Sequence, residues 1–79
     1  MSDAECIERM VASISPLLAG NPPRAQGAAL ADLLATWLAG HIILGDPRET
    51  DALRERLLIS HIDFVRVLTA INAAEIHGD

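Results

Sequence analysis

The sequence has no lysine and no tyrosine, and holds one cysteine, one tryptophan and one phenylalanine in 79 residues. Each shortage removes a possibility. A lone thiol, Cys6, rules out an intrachain disulfide and a cysteine zinc cage. Six scattered arginines against eleven carboxylates give a net charge of −5, so no clustered basic face exists to neutralise a phosphate backbone. Nucleic acid is not the expected partner. Only Arg48, Arg54 and Arg56, at the start of the third expected helix, approach the basic surface that a helix-turn-helix reader needs. The carboxylates are also too sparse for an acidic mimic of such a backbone. Lysine-free, alanine- and arginine-rich usage fits a GC-rich bacterial genome. The opening SDAEC has no basic segment ahead of an apolar one, so it does not read as a secretory signal. The expected location is the cytoplasm.

With aromatics so few, any core must be built from Leu, Ile, Val and Ala, yet hydrophobic residues make up 51% of the chain. One small domain, 1–79, is expected, near the size at which a single core barely suffices. Such a chain carries more apolar surface than its own fold covers. A second copy is the expected cover.

The most apolar stretch is Gly27 to Leu44, GAALADLLATWLAGHIIL. At about 100° per residue, Gly27, Ala31, Ala35 and Ala39 align as a small stripe. Leu30, Leu33, Leu34, Trp37, Leu38 and His41 cover the bulky side, and Asp32 and Thr36 mark a narrow polar arc. A helix apolar over most of its circumference needs neighbours on several sides. A membrane span is not expected here, because Asp32 inside it costs about 2.5–3.5 kcal/mol on insertion scales.

Around this stretch the pattern predicts an all-α bundle of three helices. Helix one spans about 3–19, opened by Ser2 and Glu5 as a capping box and interrupted at Pro16, where a kink or break is expected. Asn21 is the expected cap of helix two, about 22–40, with Pro22 in its first turn. Asp46, Pro47 and Glu49 open helix three, about 47–76, with Thr50 as a fallback cap. The tail at 77–79 should fray. Helices two and three are expected to form an antiparallel hairpin.

Little here carries chemistry. His41 and His61 each fall on the apolar face of their own helix, which admits two readings: hydrogen-bonded core or interface histidines, or ligands for a metal ion. In a hairpin turning near residue 45, His61 lies opposite Leu30, roughly 15 Å from His41 along the axis. A shared ion would then form only across a subunit boundary. Cys6 reads as a small core residue. Glu75 and Asn72, on the apolar side of helix three, either fix the register of a twin helix or mark where that helix leaves the core. No catalytic residue, cofactor or metal site is expected.

The sequence therefore reads as a non-catalytic, homodimeric helical interaction module. Its expected interface residues are Leu30, Leu33, Trp37, His41, Leu57, His61, Phe64 and Leu68, because large apolar side chains carry interface energy. The partner is a second copy of the chain, with a further protein partner possible. The alternative is a metal- or small-ligand-binding protein using His41 and His61 across the subunit interface.

Overall fold

The computed structural model describes residues 2–78; Met1 and Asp79, the ends of the expected 1–79 domain, lie outside the described residues. The chain is all-helical, with three helices and no strand among the described residues: α1 (Asp3–Leu18), α2 (Pro23–Ala39) and α3 (Pro47–His77). Residues 2–33 and 34–78 form two compact units, the chain passing from one to the other within α2.

In the first unit, the Ser2 hydroxyl accepts from the Glu5 N–H at 3.2 Å, half of the expected capping box. Asp3 and Glu5 in the first turn suit the positive end of the helix dipole. The expected break at Pro16 does not occur: α1 runs through it as one element. Pro16 lies in the last turn, where its missing N–H leaves one carbonyl, that of Ala12, without its intrahelical donor, and only two helical residues follow it. Ser15 adds a local acceptor contact there, its hydroxyl donating to the Val11 carbonyl at 2.8 Å.

Asn21 works backwards rather than forwards. Its side-chain amide donates to the Leu17 carbonyl at 2.9 Å, closing α1 instead of opening α2. The Gln26 amide donates to the Leu18 carbonyl at 2.7 Å. Carbonyls orphaned at the end of one helix are thus answered by side chains just beyond it. α2 starts one residue later than expected, at Pro23. Cys6 is exposed, not a core residue, since α1 buries none of its side chains; it takes part in an interaction there, as do Asp32 and Thr36 on the exposed side of α2.

In the second unit, α2 ends at Ala39 and His41–Leu44 leave the helix. Gly45 takes a left-handed φ of 77° that a side chain would resist. Asp46 then caps α3, its carboxylate accepting from the Glu49 N–H at 3.0 Å. Of the tail expected to fray, Asp79 lies outside the described residues, and His77 and Gly78 are ordered by the end of α3. α3 includes His77, and Gly78, at φ 73°, donates its N–H to the Ala74 carbonyl as a left-handed cap.

Neither unit has a hydrophobic core. Among the described residues no hydrophobic side chain is buried, and the one buried residue is polar Thr50, 6% exposed.

Candidate interaction face around Trp37

Trp37 projects from the last full turn of α2, where two imidazoles meet its ring. His41 stands edge-on to it at 4.9 Å between centroids, the planes 74° apart. His61, from α3, meets it tilted at 5.6 Å. Two rings on one indole cannot lie further apart than the two distances combined, roughly 10.5 Å. The 15 Å separation expected from the sequence is therefore too large. Its physical error is one of register. It set His61 beside Leu30, whereas His61 meets Trp37, seven residues or about two helical turns later. The non-helical 40–46 segment uses up chain without adding helix, which delays α3 relative to α2.

That register is held by polar groups from α3. Arg54 donates from Nη2 to the Ala39 carbonyl at 2.9 Å and from Nε to the His41 carbonyl at 3.1 Å. Its guanidinium thereby closes the end of α2, where a cation also suits the dipole. Thr50, expected as a fallback cap, instead turns inward. Its hydroxyl accepts from the Ile43 N–H at 2.9 Å and donates to the Ile43 carbonyl at 3.1 Å. One buried hydroxyl thus satisfies both backbone groups of a residue that belongs to no helix. Neither role was assigned from the pattern. A signal was present: Arg54 lies four residues after Thr50 and three before Leu57, the spacing of a stripe that faces a partner.

His41 is oriented by the same end of α2. Its Nδ1 lies 2.7 Å from the Trp37 carbonyl, and because a carbonyl only accepts, Nδ1 carries the proton. Nε2 is then the ring's available acceptor in the neutral form. Among the described residues, no group of three or more His, Cys, Asp or Glu side chains converges as a metal cage.

The expected interface residues separate into three sets. Trp37, His41 and His61 come together, and Leu57, one turn before His61 on α3, is half-buried. Phe64 and Leu68 continue along α3 but are exposed, 67% and 44%. Leu30 and Leu33, in the first unit, are exposed on α2. The small stripe is unevenly used. Ala35 and Ala39 border a shallow groove with Asp51, Arg54 and Leu58, whereas a Cβ at Gly27 would meet nothing.

By length and composition, the helix that qualifies to cross a membrane among the described residues is α3, with an 18-residue window of mean hydropathy 1.4 and none of it buried. The sequence raised that question for residues 27–44 instead, but α2 stops at 17 residues. Comparison with protein-family models, curated proteins and solved structures finds no match to this chain.

Proposed function

We propose that the chain is a small, non-catalytic, self-associating interaction module of the cytoplasm, functioning as a homodimer. The observation carrying this reading is that no hydrophobic residue is buried among the described residues, while many Ile, Leu, Val and Phe are exposed. Exposed large apolar side chains lie in both units, from Ile7 to Leu33 and from Trp37 to Ile76, surface of the kind that a standard interface of roughly 800 Å² per partner takes up. Association covers that area; folding alone leaves it in water at about 25 cal/mol per Å² of apolar surface.

A protein partner accounts for this surface better than lipid does. Asp63 and Arg66 sit mid-way along α3, where insertion costs about 2.5–3.5 kcal/mol for each charge. The order of contacts supports the antiparallel hairpin. Going back along the chain from Ile43 to Trp37, the partners on α3 advance from Thr50 through Arg54 to His61.

The test is mass by light scattering after size exclusion, over a range of concentrations. A dimer is expected, and Trp37→Asp should return it to monomer or unfold it. A Trp37→Asp variant with unchanged mass and melting temperature would remove Trp37 from the interface.

One observation favours a second reading, a metal- or small-ligand-binding protein. His41 has Nδ1 fixed on a backbone carbonyl, the arrangement that orients an imidazole to ligate through Nε2, and His61 shares its indole. Elemental analysis of untagged protein tests this. Stoichiometric Zn, Ni, Cu or Fe would favour it over the first reading.

A further inference from the structure

We draw no further inference here: the strongest candidate, the exposed apolar face of α3 from Phe64 to Ile71, carries nothing because nothing in the structure shows what covers it.

Discussion

The segment from Leu38 to Leu58 and the segment from Ile59 to His77 belong to the same unit, yet they are held in opposite ways. The first is fastened by polar groups: Thr50 grips both backbone groups of Ile43, and Arg54 spans the Ala39 and His41 carbonyls. The second has no such fastening to another element. Its side-chain bonds stay within the helix, Thr69 to the Val65 carbonyl and Arg66 to Asp63. Its apolar residues are exposed. The difference separates two kinds of information in one helix. Polar bonds fix how α3 leaves α2, and the association proposed above would draw on the apolar side chains that α3 exposes.

That contrast can be broken from either side. The largest effect is expected at Trp37, which joins both regions through His41 and His61. Trp37→Asp places a carboxylate among apolar groups and should weaken association by at least a hundredfold, or unfold the chain, as read by light scattering and circular dichroism. Next is Thr50→Val, nearly the same shape without the hydroxyl. It strands the Ile43 N–H, while the Ile43 carbonyl keeps the Asp46 N–H at 3.1 Å, and should cost about 1–3 kcal/mol. A lower melting temperature at fixed protein concentration, with dimer mass retained, would show that the clasp and the open face are separable. Arg54→Met keeps the aliphatic stem and removes the guanidinium. A loss of about 1 kcal/mol is expected, because the group is only partly sheltered. Asp46→Ala removes the α3 cap for a similar loss, about 0.5–1 kcal/mol. The smallest effect is at Asp63→Ala. Its pair with Arg66 is 3.7 Å long with both side chains about three-quarters exposed, and less than about 0.5 kcal/mol should change in denaturant melts.

The helices were legible in the sequence because their signals are local. Ser2, Asp46 and Pro47 mark starts, Gly45 and Gly78 mark turns, and apolar spacing fills the rest. The expected bounds fall within a residue of those observed. Asn21 was misread because an amide both accepts and donates. Local pattern cannot say whether it will cap the helix ahead or the carbonyls behind. A break at Pro16 was one of two outcomes its chemistry allows, and the helix continues through it because so little helix follows. The two-histidine indole cluster was half legible. Each histidine was marked by its place on an apolar face, but their meeting depends on register, and register is set by Arg54 and Thr50. Those are tertiary bonds, with no signature in a single-helix pattern beyond a polar residue at seam spacing.

If homodimerisation completes the fold as proposed, this chain reaches its native state only as a pair. Mass by light scattering, taken together with helicity across dilution, addresses it most directly. The expected result is twice the 8.5 kDa chain mass, with helicity and mass falling together as the protein is diluted. A single-chain mass, with full helicity and a cooperative melt independent of concentration, would contradict it.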